Sequence, residues 1–194
     1  MKEIILASAS PRRKEILEQV GINPTIIVSN AVENTKANTP AEYVEKLSFL
    51  KAENVANQIK EKEEFVLIAA DTVVVRDNKI LEKPVDEEDA HRILSSLQGN
   101  VHKVFTGVTL IVNQNGKMLR DTFSVCTEVE MLPMTTKQIM SYIATKEPMD
   151  KAGAYGIQGK GGMYIRQIRG DYYNVVGLPI SAVMMHLKDM GIMI

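Results

Sequence analysis

The amino-acid sequence predicts an α/β domain. Apolar runs typical of strands alternate with amphipathic stretches typical of helices along the whole chain, which is the pattern of an α/β or α+β fold. The 194 residues are 45% hydrophobic and 24% charged, which is enough chain and enough apolar surface for a real core. No shift in composition marks a linker. We therefore expect a single domain over residues 1–194, with room for two lobes.

The first half of the chain carries clear helix-start signals. Ser10-Pro11 supplies an N-cap and a first-turn proline, and Thr39-Pro40-Ala41-Glu42 has the form of a capping box. Asp86 precedes three acidic residues that suit the first turn of a helix. The elements predicted in order are a strand over 3–7, a helix over 11–20 ended by Gly21, a strand over 26–28, a helix over 40–59, a central strand over 65–75 and a helix over 87–98 ended by Gly99.

The second half begins with a long predicted hairpin. Two strand-like runs flank Asn115-Gly116, a dipeptide typical of tight turns. A glycine-punctuated loop follows further along, and loops of this kind often carry function. The elements predicted in order are strands over 104–112 and 117–129, a helix over 133–143, the loop over 147–162, a strand over 163–168 and a closing helix over 179–190.

Composition excludes several classes of protein. With 23 Lys+Arg against 24 Asp+Glu, the chain lacks the basic excess of a protein that coats nucleic acid, so a bound anion should be small. The single Cys126 cannot form an intramolecular disulfide, and no Cys or His pair has zinc-ligand spacing, which together favour a reducing, cytoplasmic location. We expect neither a signal peptide nor a membrane span.

Three cations follow one another at the start of the first helix. Arg12, Arg13 and Lys14 lie where the helix dipole favours an anion, and each misplaced charge costs roughly 0.3 to 1 kcal/mol when exposed. A bound phosphate would explain them, because the helix N-terminus, the guanidinium groups and the hydroxyls of Ser8 and Ser10 could all contact its oxygens. A solvated basic helix end is the alternative.

Two charged residues interrupt apolar patterns. Lys51 falls in the middle of the apolar arc of the helix over 40–59, so its ammonium either snorkels to solvent or meets an anion at the edge of the core. Asp71 lies inside the apolar run of the central strand, where an unpaired carboxylate would cost several kcal/mol. It therefore needs a metal, a cation or a proton; a structural aspartate beside a bulge is the alternative to a catalytic one.

The other candidates are weaker by themselves. Lys83 precedes Pro84 in a loop that could face the same cleft, and Glu33 is a solvated loop acid unless it shares Mg²⁺ with Asp71. The amide of Gln158 suits the edge of a nucleobase, although its loop could equally be flexible surface. That loop fits neither Walker A nor GxGxxG spacing, and no nucleophile pattern supports covalent catalysis.

Seven segments together resemble the Maf family of nucleotide pyrophosphatases, in the order in which the family has them. They are LASASPRR at 6–13, KA at 51–52, ADTVV at 70–74, KP at 83–84, FTGV at 105–108, EPMDKAGAYGIQG at 147–159 and VVGLP at 175–179. The resemblance implies a hydrolase that cuts a nucleoside triphosphate between its α and β phosphates with a divalent cation, Mg²⁺ or Mn²⁺. The YGIQG version of the loop resembles the dTTP/UTP branch. The implied fold is an elongated mixed β-sheet with flanking helices, similar to the inosine triphosphate pyrophosphatases.

The resemblance also implies residue roles. Asp71 corresponds to the proton acceptor, and three positions correspond to those associated with substrate choice, namely Arg12, Thr72 and Gln158. The remaining polar positions of the family's cleft correspond to Ser8, Arg13, Glu33, Lys51 and Lys83. Our hypothesis is that Asp71 and Glu33 hold the metal ion. Charge on the departing pyrophosphate would be neutralised by four cations, namely Arg12, Arg13 and the catalytic lysines Lys51 and Lys83.

The rival hypothesis is a non-catalytic regulator that binds a nucleotide, which the family's link with septum formation keeps open. A buried carboxylate favours the enzyme, since a triphosphate binder gains nothing from another negative charge unless a metal intervenes. The expected partner is the nucleoside triphosphate, with neither nucleic acid nor a membrane. A two-fold homodimer is the default expectation for such a fold.

Overall fold

The computed structural model describes residues 2–33, 35–114 and 116–193. The strands in this part of the chain are β1 Glu3–Leu6, β2 Thr25–Ile26, β3 Phe65–Arg76, β4 Lys79–Leu81, β5 Val101–Gln114, β6 Lys117–Met131 and β7 Ile165–Arg169. The α-helices are α1 Pro11–Gln19, α2 Pro40–Gln58, α3 Glu87–Leu97, α4 Thr136–Ile143, α5 Tyr172–Val176 and α6 Ile180–Asp189. Three short 3₁₀ turns lie at Glu147–Asp150, Ala152–Ala154 and Lys160–Tyr164.

The strands form one mixed sheet. Its order is β2-β1-β3-β5-β6-β7, and β4 pairs with β3 off this path. Strand β1 pairs in parallel with both β2 and β3, whereas β3–β4 and β6–β7 are antiparallel. Helices connect the parallel strands, as parallel pairing requires. The predicted α/β class with a mixed sheet is therefore confirmed.

The chain divides into two compact units. The first comprises Met1–Asp71, Thr106–Val125 and Gly177–Ile194, and the second comprises Thr72–Phe105 and Cys126–Val176. The division falls inside β3, directly after Asp71, and inside β5 and β6. Each unit has its own cluster of buried apolar side chains.

In the first unit, α2 packs on the sheet through its apolar arc. Val55 and Ala52 are fully buried and join a cluster with β1 and β3 side chains, including Ile5 and Leu67. Gly107 of β5 allows a very close approach, because a Cβ at that position would lie 2.3 Å from the carbonyl carbon and oxygen of Val44. This contact fixes the height of α2 above the sheet.

In the second unit, α3 and α4 pack around one cluster of buried side chains. The fully buried Leu94 and Leu97 of α3 meet Ile139 and Ile143 of α4. Asp86 caps α3 as predicted, since its carboxylate accepts the backbone N–H of Asp89 at 2.7 Å. This cluster supports the segment over 147–162, whose Ala154 and Tyr155 belong to it.

Most predicted elements are present, with shifted ends. The hairpin strands are longer than predicted, β2 lies at 25–26 rather than 26–28, and the loop over 147–162 contains the three 3₁₀ turns. Strand β4 and helix α5 were not predicted. Asn115 of the predicted turn lies outside the described residues.

Two caps differ from their predicted form. Ser10 is the N-cap residue of α1, but its side chain makes no capping hydrogen bond. Thr39 does accept the backbone N–H of Glu42 at 3.2 Å, whereas the Glu42 carboxylate accepts from Asn38, one residue before the expected partner. The capping box is therefore half formed.

No helix among the described residues is long and apolar enough to cross a membrane. The cytoplasmic location, the single-domain organisation and the homodimer stay predictions.

Candidate active site

One lysine joins two carboxylates in the first unit. The ammonium nitrogen of Lys51 lies 2.5 Å from Oδ1 of Asp71 and 3.1 Å from Oε1 of Glu33. The side chains of Lys51 and Asp71 are only 15% and 13% exposed, whereas that of Glu33 is 53% exposed. The two charged residues that interrupt apolar patterns, Lys51 and Asp71, therefore have the same explanation, because each neutralises the other's charge.

The fold dictates this pairing. Lys51 lies one residue before the fully buried Ala52 on α2, so its stem follows the apolar arc while its ammonium reaches the adjacent strand. Asp71 lies in β3 directly after six residues that are at most 1% exposed. Glu33 reaches the same ammonium from the loop after β2, which Asn54 of α2 holds by accepting the backbone N–H of Asn30 at 2.9 Å.

A second polar cluster lies at the start of α1. Arg13 donates from Nε to the carbonyl oxygen of Gly177 at 2.8 Å and from Nη1 to Oγ of the buried Ser8 at 3.0 Å. The same Ser8 oxygen accepts the backbone N–H of Ser10 at 3.2 Å. The serine hydroxyl predicted to bind an anion therefore also fixes the guanidinium and the turn that begins the helix.

The two clusters interact electrostatically. Burial lowers the pKa of the Arg13 guanidinium from its usual value, the negative charges of Asp71 and Glu33 oppose that change, and the charge of Arg12 adds to it. Arginine nevertheless remains a cation at neutral pH, because its ordinary pKa is so high. The structure thus places six of the predicted site residues in one unit, namely Ser8, Arg12, Arg13, Glu33, Lys51 and Asp71, and their roles stay predictions.

The donor set fits a hard divalent cation in part. Asp71 and Glu33 offer carboxylate oxygens that converge on a single positive charge, and such oxygens are the ligands that Mg²⁺ prefers. Mg²⁺ usually takes one or two protein carboxylates and completes its shell with water and substrate phosphates. No group of three or more His, Cys, Asp or Glu side chains suited to a metal occurs among the described residues. Within the part of the chain that the structure describes, the candidate metal ligands are therefore these two carboxylates.

The remaining predicted residues belong to the second unit. Thr72 follows Asp71 in β3, and Lys83 is exposed in the loop after β4. That loop is tied to the segment over 147–162, because the Glu82 carbonyl accepts the backbone N–H of Gly153 at 3.1 Å. Gln158 is exposed in the same segment. The substrate-binding roles of Thr72 and Gln158 and the catalytic role of Lys83 stay predictions.

The chain matches the model of the family described as Maf-like protein over residues 3–190. It belongs to the Maf family. Three similar relatives carry the name dTTP/UTP pyrophosphatase. The one from Lachnoclostridium phytofermentans is 46% identical over 193 residues, covering 99% of this chain and 97% of the relative. The one from Alkaliphilus metalliredigens is 50% identical over 182 residues, covering 93% and 92%. The one from Bacillus thuringiensis is 44% identical over 193 residues, covering 99% and 97%.

A similar solved structure is that of a HAM1 protein from Coxiella burnetii, with a TM-score of 0.40, 11% identity and coverage of 97% of this chain and 100% of the other. The predicted similarity to the inosine triphosphate pyrophosphatases stays a prediction.

Sequence reasoning missed one well-connected carboxylate of this Maf chain. Glu147 opens the segment EPMDKAGAYGIQG, and its side chain accepts hydrogen bonds from the Tyr142 hydroxyl and from the backbone N–H groups of Lys160 and Gly161. The glycine spacing over 156–162 is the trace that this contact leaves in the sequence, since glycines are needed where a side chain presses on backbone, but a flexible loop has the same spacing.

Proposed function

We propose that this protein is a nucleoside triphosphate pyrophosphatase that hydrolyses dTTP and UTP to the monophosphate and pyrophosphate. The observation that carries the proposal is the half-buried Lys51 ammonium that joins the Asp71 and Glu33 carboxylates in the same unit as the cations that begin α1. The names of the similar relatives supply the reaction and the pyrimidine substrates. The sequence motifs favour the same branch of the family.

Asp71 is the proposed general base. Its carboxylate is mostly shielded from solvent and anchored by Lys51, so it is held in place to orient the attacking water and accept its proton. The water oxygen bonds to the α-phosphorus as the bond between that phosphorus and the α–β bridging oxygen breaks, and the electron pair leaves with pyrophosphate. Such a reaction depends on positioning and electrostatics rather than on a covalent intermediate.

Arg13 is the proposed anchor for the phosphate chain. Two of its N–H groups are already committed to Ser8 and Gly177, which removes rotational freedom from the guanidinium before substrate binds. A preorganised cation stabilises charge without the cost of reorganising during the reaction. Arg12 and the N-terminal turn of α1 add positive potential at the same place.

Asp71 and Glu33 are the proposed ligands of a divalent cation, Mg²⁺ or Mn²⁺. When bound, such an ion supplies charge neutralisation on the phosphate oxygens. Lys51 also balances the charge of the two carboxylates, because its ammonium contacts both. Thr72 and Gln158 are proposed to bind substrate, and Lys83 is proposed to neutralise charge on the departing pyrophosphate. The amide of Gln158 would pair with the edge of the pyrimidine.

A pyrophosphate-release assay tests this proposal. Purified protein is incubated with dTTP, UTP, CTP, ATP and GTP, with Mg²⁺ or with a chelator, and the products are resolved as monophosphate or diphosphate. We expect monophosphate and pyrophosphate from dTTP and UTP only when the metal is present. The matched variant Asp71→Asn should lower kcat by about 10²-fold or more, which is the usual contribution of a general base, while UTP still binds. Nucleotide binding without any release would instead support the non-catalytic regulator.

A further inference from the structure

The Glu147 side chain links Tyr142 of α4 to the backbone of the segment over 147–162, which carries Gln158. Its Oε1 accepts from the Tyr142 hydroxyl at 2.8 Å and from the backbone N–H of Gly161 at 3.0 Å, and its Oε2 accepts from the backbone N–H of Lys160 at 2.9 Å. The Tyr142 oxygen in turn accepts the backbone N–H of Gly156 at 3.1 Å. The backbone is therefore held two residues before Gln158 and two residues after it.

The glycines at 159 and 161 lie so close to Glu147 and Tyr142 that neither position has room for a side chain. A Cβ at position 159 would lie 2.5 Å from Oε2 of Glu147, and one at position 161 would lie 2.4 Å from the Tyr142 oxygen. The backbone over 156–162 therefore wraps closely around the two side chains. A shift of the carboxylate must move the backbone next to Gln158.

The charge of Glu147 is also maintained. Burial by itself would raise the pKa of this carboxyl, but the N–H groups of Gly161 and Lys160 and the Tyr142 hydroxyl outweigh burial, so the pKa lies below its usual value. Burial in turn raises the pKa of the Tyr142 hydroxyl, which keeps its proton for donation to Glu147. Lys151 donates to the Glu147 carbonyl oxygen at 2.7 Å and adds a nearby positive charge.

These contacts satisfy groups that the segment cannot satisfy itself. The 3₁₀ turn at Lys160–Tyr164 begins with backbone N–H groups that have no partner inside the turn, and its N-cap residue Gly159 has no side chain to cap them. Glu147 supplies the acceptors from thirteen residues earlier in the chain. Hydrogen bonds to a charged acceptor are roughly twice as strong as those between neutral groups, so this one side chain decides where the turn begins.

We propose that Glu147 is a positioning residue for Gln158 and thereby sets the preference of the enzyme for uracil and thymine nucleotides. This inference rests on the proposed function, in which the Gln158 amide contacts the pyrimidine. A contact to the base is made equally in the ground state and the transition state, so its loss raises KM and leaves kcat nearly unchanged. Glu147 itself touches no reacting atom in this scheme.

The test is a double-mutant cycle with Glu147→Gln and Gln158→Ala. Glutamine keeps the size of the side chain but places an NH₂ group against one of the N–H donors. We expect Glu147→Gln to raise the KM for UTP about tenfold and to change kcat less than about twofold. The ratio of kcat/KM for UTP to that for CTP should fall by a similar factor. In the Gln158→Ala background, Glu147→Gln should change KM by less than about twofold, because its route of action is already lost.

Two further variants separate positioning from general stability. Glu87→Gln is the matched control, since Glu87 is an exposed acid of the same unit whose partner is Lys146, and it should leave KM unchanged. Gly159→Ala presses on the carboxylate without removing it and should reproduce the KM effect. Thermal unfolding of each variant shows whether the effect follows stability. The proposal would be overturned if the KM change in the double variant were the product of the two single changes. It would also be overturned if Glu147→Gln lowered kcat and left KM unchanged.

Binding measurements keep this inference distinct from the proposed activity. The dissociation constants of non-hydrolysable UTP and CTP analogues are measured by calorimetry for the same variants. If the wild-type protein releases no pyrophosphate but its preference for the UTP analogue is lost in Glu147→Gln, the activity is wrong and the positioning role stands. If Glu147→Gln keeps the preference, the positioning role is wrong whatever the activity.

Discussion

Replacing Lys51 with methionine should destabilise the protein far more than replacing either of its carboxylate partners. Methionine has a comparable length and suits the apolar arc of α2, so the substitution removes the charge with little change in packing. It leaves Asp71, only 13% exposed, without the ammonium that lies 2.5 Å away. It also leaves Glu33 facing a second carboxylate with no cation between them.

The size of the effect follows from burial. Removing one partner of a buried ion pair costs about 3 to 5 kcal/mol, and we expect about 3 kcal/mol because both side chains keep some contact with solvent. Asp71→Asn should cost only about 1 kcal/mol, since Lys51 retains Glu33 at 3.1 Å and the amide can still accept a hydrogen bond. Glu33→Gln, at a half-exposed position, should cost less than about 1 kcal/mol.

Urea unfolding at pH 7 measures these differences as shifts in the midpoint at constant m value. The double variant Lys51→Met/Asp71→Asn should be more stable than Lys51→Met alone, because the uncompensated charge has been removed. The effect should persist at high salt, since screening acts weakly on a shielded pair. Equal costs for Lys51→Met and Asp71→Asn, or a double variant less stable than both, would refute the assignment of Lys51 as the shared counterion.

Two further predictions concern the fold and its pH dependence. Gly107→Ala should destabilise the protein by about 3 kcal/mol or more, because its Cβ would lie 2.3 Å from the Val44 backbone. Unfolding midpoints measure this loss. The control is Gly21→Ala, whose Cβ would meet no atom within 4 Å and which carries only the strain of a positive φ. Burial, with the charge of Arg76, lowers the pKa of His102 to about 4 from an ordinary 6.5, so the unfolded chain binds a proton that the folded chain does not. Stability should therefore fall by about 3 kcal/mol as pH drops from 6.5 to 4, and the difference in unfolding free energy between wild type and His102→Gln across that range measures it.

Residues that break a periodic pattern were the informative ones in the sequence. Lys51 interrupts a helical apolar arc and Asp71 interrupts a buried strand, so each needs a compensating partner wherever the fold places it. The structure pairs them directly. Considered alone, each residue left two explanations open. The contact between the two side chains shows that the Lys51 ammonium binds an anion at the edge of the core and does not merely extend to solvent.

Short elements that are stabilised mainly by contacts with residues distant in sequence could not be predicted in the same way. Strand β4 has three residues and exists because it pairs with the end of β3. Helix α5 has five residues, and its Asn174 is held by the Val104 carbonyl and the Thr127 hydroxyl, which are distant in sequence. Short elements such as these lack a periodic signal, because tertiary contacts rather than local propensity stabilise them.

Glu147 could not be predicted from the sequence for the same reason. It lies in an irregular segment where no period exists to be broken, and two of its partners are backbone N–H groups, which have no residue type to recognise. The only local trace is the glycine at 159, which must be small because a carboxylate occupies the space of its Cβ. A loop rich in glycine therefore need not be flexible. Here the missing side chains make room for a carboxylate that holds the backbone, and the sequence alone could not distinguish those two cases.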